Sequence, residues 1–339
     1  MIISILEIGT ILGIMALGVY LTFRILDLPD LTCDGSFALG GAITVASLLS
    51  GIPVVYCIFL GAMGGALAGL ATGLIHTRLK VNSLLAGILV MTMIYSINLR
   101  IMNGPNLPVP RVSSNEEIQS FEDLSGGTKL DDLFSDFGEM KVSTKSDIKV
   151  QSNIFNNEKD GSDLTLIILI TCGIILVLGI FLRTDIGMAI RAFGSNKNAV
   201  QSFGISKNVL AVLGLVIANL LVGLSGSLFA LYSGFADVQM GQSMIVTGLA
   251  ALMLGEIILS KINIIYGLFA PIIGGILYQL LLSLAIKYGY RIGLLASDMK
   301  LLTALFIIIV IGVSLVATQK DGKKKLKKGV KKLWSNSKT

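Results

Sequence analysis

Apolar stretches long enough to cross a lipid bilayer recur along this chain of 339 residues. Hydrophobic residues make up 53% of it and charged residues only 14%, whereas a soluble domain carries about 25% charged residues. A helix needs roughly 20 apolar residues to cross a bilayer. Backbone in the hydrocarbon must also satisfy its own hydrogen bonds. Since the alternation of a membrane barrel is absent, the sequence predicts an all-α polytopic membrane protein.

The apolar runs predict about nine spans, within a range of about eight to ten. The second is short and rich in glycine, so we expect a broken or re-entrant helix there. The predicted spans are 3–25, 35–51, 53–75, 83–101, 164–182, 209–232, 241–259, 263–286 and 299–317. They divide the chain into four parts, which are a first transmembrane half at 1–101, an insertion at 102–163, a second half at 164–318 and a tail at 319–339.

Lysine and arginine are distributed unevenly, and this predicts the orientation. The tail carries nine lysines and one aspartate, and the remainder of the chain is slightly acidic. The positive-inside rule then places the tail and residues 183–208 in the cytoplasm and residues 102–163 outside. The tail is either simply solvated or held at an anionic inner leaflet. Nucleic-acid binding is a poor interpretation because the basic charge is confined to this tail.

A short polar motif occurs twice and is called a polar island here. Asp30–Ser36 leads into the second predicted span, and Asp237–Ser243 leads into the seventh. Related halves with irregular polar backbone at corresponding places are typical of transporters. The predicted orientation puts the first island near the inner face and the second near the outer face. Spans 1–4 and 6–9 would then be inverted repeats joined by span 5.

Polar side chains in or near these islands are candidates for a translocation path, because polar groups are costly in lipid. A helix that starts after an island presents free N–H groups to an anion such as a carboxylate. The aspartates either cap these helices or meet an ammonium group, and the buried amides either join helices or line the path. The candidates are Asp30, Asp34, Ser36, Asn98, Asn219, Asp237, Gln239, Gln242 and Ser243.

The sequence pattern of residues 183–208 predicts two short helices. The first would stop at Gly194, Ser195 would cap the second, and Gly204 would supply its left-handed end. Ala199, Val200 and Phe203 would form one apolar face of the second helix. Such an amphipathic helix either docks into a groove on a partner or lies on lipid.

Two further features concern helix contacts. Gly61, Gly65 and Gly69 form small-xxx-small pairs that allow close helix approach, either within the chain or between two copies. Glu256 ends the seventh predicted span close to Lys261. An ion pair or an interface anchor is expected there.

Several motifs resemble the inner-membrane permeases of the branched-chain amino acid, ribose and simple-sugar ABC importers. They are Arg191–Gly194 with Gly204–Ser206, Gly223–Leu228 and Gly248–Glu256. The opening Leu26–Phe37 is similar to a subgroup encoded beside a lipoprotein-type solute-binding protein and an ATPase, which is linked to uptake of amino acids, including aromatic ones. The resemblance covers nearly the whole chain, and 102–163 is its main departure.

The resemblance implies a permease subunit of the bacterial cytoplasmic membrane. Its expected partners are cytoplasmic ABC ATPase subunits, an extracytoplasmic solute-binding lipoprotein, a second permease copy in a homodimer, and membrane lipid. ATP and Mg²⁺ would bind the ATPase, so this chain would hold no cofactor or metal and would not be an enzyme. The sequence agrees, since it has no phosphate-binding Gly-x-x-x-x-Gly-Lys-Ser/Thr motif.

The same resemblance places the coupling helix at 195–205. The residues expected to couple the chain to the ATPase are Arg191, Phe193, Ser195, Ala199, Val200, Phe203, Gly204 and Ile205. Two alternatives stay open, namely an ion-gradient-driven secondary transporter and ABC import of a sugar or nucleoside. Ion coupling usually needs intramembrane carboxylates or histidines facing a cavity, and the centres of the predicted spans are almost free of them.

Overall fold

The computed structural model describes residues 2–109, 162–196, 200, 204, 206–259 and 264–291, together with 304, 305, 308 and 312. Within these ranges the chain is almost entirely helical. The elements in chain order are α1 (Ile2–Tyr20) with a π-helical turn (Leu21–Ile25), α2 (Thr32–Leu49), α3 (Val54–Arg78), α4 (Ser83–Met102), β1 (Asn106–Pro108), α5 (Ser162–Phe181), α6 (Asp185–Ser195), α7 (Lys207–Ser233), β2 (Phe235–Asp237), α8 (Met244–Ile258) and α9 (Ile264–Arg291).

The helices confirm the all-α membrane class. Seven of those described are long and apolar enough to cross a membrane. α8 corresponds to the seventh predicted span but has only 15 residues. The ninth predicted span, 299–317, lies outside the described residues except for 304, 305, 308 and 312, and most of the insertion at 102–163 and the whole tail also lie outside them.

Short polar residues and glycine set several helix ends. The side chain of Asn82 accepts a hydrogen bond from the N–H of Leu84 at the start of α4, and Thr184 does the same for Gly187 at the start of α6. Gly234 ends α7 with φ at +78°. These are the ordinary capping roles of Asn, Thr and Gly.

α3 and α7 pack together through small residues. A Cβ on Gly65 would lie 2.9 Å from the Cα of Gly223, and one on Gly69 would lie 2.9 Å from the Cβ of Asn219. The glycine pairs of the third predicted span are therefore used within the chain. α1 meets α9 in a similar way, since a Cβ on Gly13 would lie 2.8 Å from the Cα of Ile272.

A two-stranded antiparallel sheet joins the segments that follow α4 and α7. Asn106 pairs with Asp237 and Pro108 with Phe235. Leu49, at the end of α2, and Met102, at the end of α4, belong to the hydrophobic cluster beside this sheet. The sheet thus marks one end of the bundle.

The second predicted span is not broken, so the expectation of a broken helix was wrong. α2 runs continuously from Thr32 to Leu49, and the irregular backbone lies before it. Its glycines serve close packing instead of a turn. A Cβ on Gly40 would overlap the carbonyl group of Gly223 on α7, and one on Gly41 would overlap the side chain of Met240.

The local geometry of the segment 183–208 also differs from the prediction. α6 continues through Gly194 and ends at Ser195, whose hydroxyl donates to the carbonyl of Arg191 at 3.2 Å. Ser195 therefore belongs to the last turn of the first helix, while residues 197–199, where the second helix would begin, lie outside the described residues. Gly194 continues the helix because it packs against the backbone of Ile25. Gly204 has φ at +78°, which confirms the predicted left-handed residue.

Candidate functional site

The two polar islands are in contact. The carboxylate of Asp34 accepts hydrogen bonds from the N–H of Ser243 at 3.0 Å and from the N–H of Ile245 at 2.8 Å. Asp34 thus caps the start of α8 from a different helix. The two islands therefore lie together, and the prediction that they lie near opposite faces of the membrane was wrong.

The geometry of the irregular segments explains this contact. The segment before α2 starts at the end of α1, while residues 235–243 start from the sheet and pass alongside α2. α2 has 18 residues and α8 has 15, which correspond to rises of about 27 Å and about 22 Å. α2 ends beside the sheet, and α8 ends where Glu256 meets Arg24. The two helix starts therefore meet near mid-depth in the bundle.

A buried hydrogen-bond network lies next to this contact. The side-chain amide of Asn219 on α7 donates to the Asp30 carboxylate at 2.7 Å, and its oxygen accepts from the hydroxyl of Ser36 at 2.7 Å. Its second N–H donates to the carbonyl of Leu215 at 3.0 Å. Asp30, Ser36 and Asn219 are each 0% exposed. Both N–H groups and the oxygen of the Asn219 amide are hydrogen-bonded, so its orientation is fixed by its neighbours.

The network extends to two further helices. The other oxygen of Asp30 accepts from the N–H of Thr32 at 2.8 Å, and the hydroxyl of Thr32 lies 2.6 Å from that of Thr72 on α3. A Cβ on Gly87 of α4 would lie 3.1 Å from the same Asp30 oxygen. Sequence reasoning missed Thr72, because one threonine in a glycine-rich helix carries no signal of its own.

Other candidates of the second island are exposed. Gln239, Gln242 and Ser243 expose their side chains, and Asp34 beside them is half-buried. Ser243 has φ at +68°, in the left-handed region that non-glycine residues rarely adopt. Asp237 accepts from the N–H of Gln239 at 2.6 Å, so its carboxylate closes a local turn.

Asn98 on α4 is separate from these contacts. It is 1% exposed, and its side-chain oxygen has no hydrogen-bond partner in the part of the chain that the structure describes. The side-chain amide of Asn219 thus joins helices, while the oxygen of Asn98 is left without a partner among the described residues.

The predicted coupling residues fall into two groups. Phe193 and Val200 are 3% and 2% exposed and belong to the hydrophobic cluster at the end of α1. Ser195 and Gly204 are exposed, and Arg191 is half-buried. Ala199, Phe203 and Ile205 lie outside the described residues. Phe193 and Val200 therefore face the bundle, which the amphipathic pattern alone did not reveal.

An ion pair joins α8 to the π-helical turn of α1. The guanidinium of Arg24 meets both oxygens of Glu256, at 2.7 Å and 3.0 Å. The side chains are 48% and 27% exposed. Lys261, the partner suggested by the sequence, lies outside the described residues. Arg24 and Glu256 each lie near the end of a predicted span, on the side that the positive-inside rule places in the cytoplasm. Their similar depth was the signal in the sequence that could have suggested this pair.

Polar, irregular helix starts that meet inside an apolar multi-helix bundle are typical of membrane transport proteins. The comparison with known families agrees. The family model described as "Branched-chain amino acid transport system / permease component" matches residues 1–312. The chain belongs to this permease family, and it is a permease component of an ABC-type transport system.

Two relatives cover most of the chain. It is 37% identical, over 91% of its length and 89% of the relative, to a protein named "Tyrosine transport system permease protein" from Clostridioides difficile (strain R20291). It is 30% identical, over 85% of its length and 89% of the relative, to an uncharacterized protein from Rickettsia prowazekii (strain Madrid E). No solved structure matches the chain.

These findings identify the protein as a multi-pass membrane transport subunit. A permease of such a system works with solute-binding and ATPase components.

Proposed function

We propose that this chain is the membrane-spanning subunit of an ABC importer that moves an amino acid, tyrosine or a related aromatic one, into the cytoplasm. The proposal is supported most directly by the relative named as a tyrosine transport permease, because 37% identity extends over 91% of the chain. The solute would arrive on an extracytoplasmic binding lipoprotein. Separate ATPase subunits would bind ATP and Mg²⁺ and supply the energy.

The translocation path would run past the contact between the two islands. Asp34, Gln242 and Ser243 give this region a polar and partly exposed surface near mid-depth. Such a surface is costly against lipid and suits a water-lined path. If Asp34 releases α8, the N–H groups of its first turn become free for a solute carboxylate. The Asp34 carboxylate becomes free for the ammonium group of the same amino acid.

The packing supports an inverted repeat of spans 1–4 and 6–9. In that repeat α2 corresponds to α8, and both start at the mid-depth contact. α1 corresponds to α7 and α3 to α9, and the close contact of α1 with α9 matches that of α7 with α3. The nine spans would be grouped as 1–101 and 164–318, with the tail inside and 102–163 outside. The sheet between the segments after α4 and α7 fits this orientation, since both are expected outside.

The ATPase would dock on the segment 183–208 in each copy of a permease homodimer. Buried Phe193 and Val200 would hold this segment on the bundle, while exposed Ser195 and Gly204 would face the partner. This division retains the predicted coupling residues but gives the two buried ones an anchoring role.

The test is reconstitution in liposomes with the ATPase and binding protein that pair with this chain. Gly204→Ala should weaken ATPase docking and ATP-driven tyrosine uptake, since φ at +78° strains any residue with a Cβ. Gly51→Ala is the matched control, because Gly51 has φ at +81° and open space around it but lies at the opposite end of the bundle. Equal uptake by both variants would count against docking at this segment.

The reconstitution also separates the alternatives. Uptake by the chain alone, driven by an ion gradient and indifferent to ATP, would refute the ABC proposal. ATP-driven uptake of a sugar or nucleoside, with no uptake of tyrosine, would refute the assignment of an amino acid as the substrate. For the path, Asp34→Asn should reduce uptake more than Asp237→Asn, since the Asp237 carboxylate closes only a local turn. A larger loss of uptake in Asp237→Asn than in Asp34→Asn would refute the proposal that Asp34 lines the path.

A further inference from the structure

The last turn of α6 rests directly on the backbone of α1. A Cβ on Gly194 would overlap the carbonyl oxygen of Ile25 and lie 2.8 Å from its carbonyl carbon. Phe193 beside it is 3% exposed and shares a hydrophobic cluster with Ile25 and Leu26. Only a residue without a side chain allows this approach. The first helix of the cytoplasmic segment is therefore fitted to one specific turn of the bundle.

That turn has an irregular geometry. Residues Leu21–Ile25 form a π-helix, a rare element that is often found at functional sites. The N–H of Leu26 donates to the carbonyl of Leu21, and the N–H of Leu28 donates to that of Thr22, both at 2.9 Å. Asp27 between them has φ at +52°, in the left-handed region that few non-glycine residues adopt. The end of α1 is thus held in place by its contacts.

The same stretch of backbone leads to the buried polar network. Asp30 follows within one short segment, and its carboxylate holds both the N–H of Thr32 and the amide of Asn219. One turn into α2, Asp34 holds the start of α8. The connection from Ile25 to Asp34 is thus short, and hydrogen bonds hold it at Leu26, Leu28 and Asp30.

A second connection starts from the π-helical turn. Arg24 is paired with Glu256 at the far end of α8, while Asp34 holds the near end of the same helix. Both ends of α8 are consequently tied to the stretch of chain on which α6 rests.

We propose that Gly194 is a positioning residue for transport. It fits α6 to the π-helical turn so that movement of α6 shifts Asp30 and Asp34 and opens the contact between the two islands. This inference rests on the proposed function, since it supplies the route from the ATPase docking segment to the path. The physical element that moves is the segment from Leu21 to Asp34.

The test uses Gly194→Ala in the full permease–ATPase complex in liposomes, with tyrosine and its binding protein. We expect assembly and basal ATP hydrolysis to persist, while the number of tyrosine molecules imported per ATP falls roughly tenfold, a normal size for coupling between sites. Gly173→Ala on α5 is the control, because nothing lies within 4 Å of a Cβ there. A purely structural role would lower uptake and stimulated hydrolysis in proportion.

Hydrogen exchange gives a second measurement. In the wild-type complex, trapping the ATPases with ATP and vanadate should change exchange in residues 26–34, and Gly194→Ala should abolish that change. If Gly194→Ala does not assemble, Leu26→Ala loosens the same contact from the α1 side and should show the same loss. The proposal that Gly194 links movement of α6 to Asp30 and Asp34 would be overturned by a variant complex that assembles and keeps both the wild-type number of tyrosine molecules imported per ATP and the wild-type exchange response. A wild-type complex without ATP-driven uptake would instead refute the proposed function.

Discussion

Asn219→Ala is expected to be among the most destabilising single truncations in the bundle, since Asn219 joins two other buried polar side chains. The substitution leaves the Asp30 carboxylate without its 2.7 Å donor and the Ser36 hydroxyl without its 2.7 Å acceptor, at sites that are 0% exposed. Each buried polar group left unpaired costs about 1–3 kcal/mol. The expected loss in the free energy of unfolding is therefore about 2–6 kcal/mol.

The measurement is unfolding by SDS titration in mixed micelles, followed by far-ultraviolet circular dichroism. Fluorescence is unsuitable because the single tryptophan, Trp334, lies in the basic tail. Ser225→Ala is the matched control, since its buried hydroxyl donates one hydrogen bond, to the carbonyl of Ile11 at 2.6 Å, and its loss should cost about 1 kcal/mol.

A double-mutant cycle with Ser36→Ala tests the network directly. Once Asn219 is truncated, removing the Ser36 hydroxyl eliminates an unpaired group, so the combined loss should fall short of the sum by about 0.5–3 kcal/mol. The reasoning is refuted if Asn219→Ala costs no more than Ser225→Ala, or if the losses at Asn219 and Ser36 simply add.

Three further predictions use the same titration. Arg24→Ala should cost about 0.2–1 kcal/mol, and a cycle with Glu256→Ala should show a coupling that shrinks at high salt; a coupling of zero at low salt would refute the pair. Gly65→Ala should cost about 1–3 kcal/mol through overpacking, because its Cβ would overlap the carbonyl oxygen of Asn219, whereas Gly173→Ala should be close to neutral; equal effects would contradict the close α3–α7 contact. Asp34→Ala should cost about 0.5–2 kcal/mol as a lost helix cap and speed hydrogen exchange at Ser243 and Ile245, while Asp237→Ala should leave that exchange unchanged; an unaltered rate in Asp34→Ala would refute the cap.

The sequence by itself determined the class of protein and the identity of its polar segments. Hydropathy and charge are properties of single residues, so the membrane-spanning helices, the two islands and the left-handed Gly204 could be predicted locally. The family resemblance also rested on short motifs such as Gly248–Glu256 that can be recognised without a fold.

Only the tertiary structure decided which of these segments meet. Asp34 and Ser243 are 209 positions apart, and no local pattern specifies how far an irregular segment enters a bundle. Gly194 looked like a helix stop because glycine often ends helices, yet its contact with Ile25 makes it an interior packing residue. Phe193 was expected to couple the chain to the ATPase, as the family resemblance implies, but it is buried in the hydrophobic cluster at the end of α1. In each case the outcome depends on close packing between distant parts of the chain, which residue-level propensities do not encode.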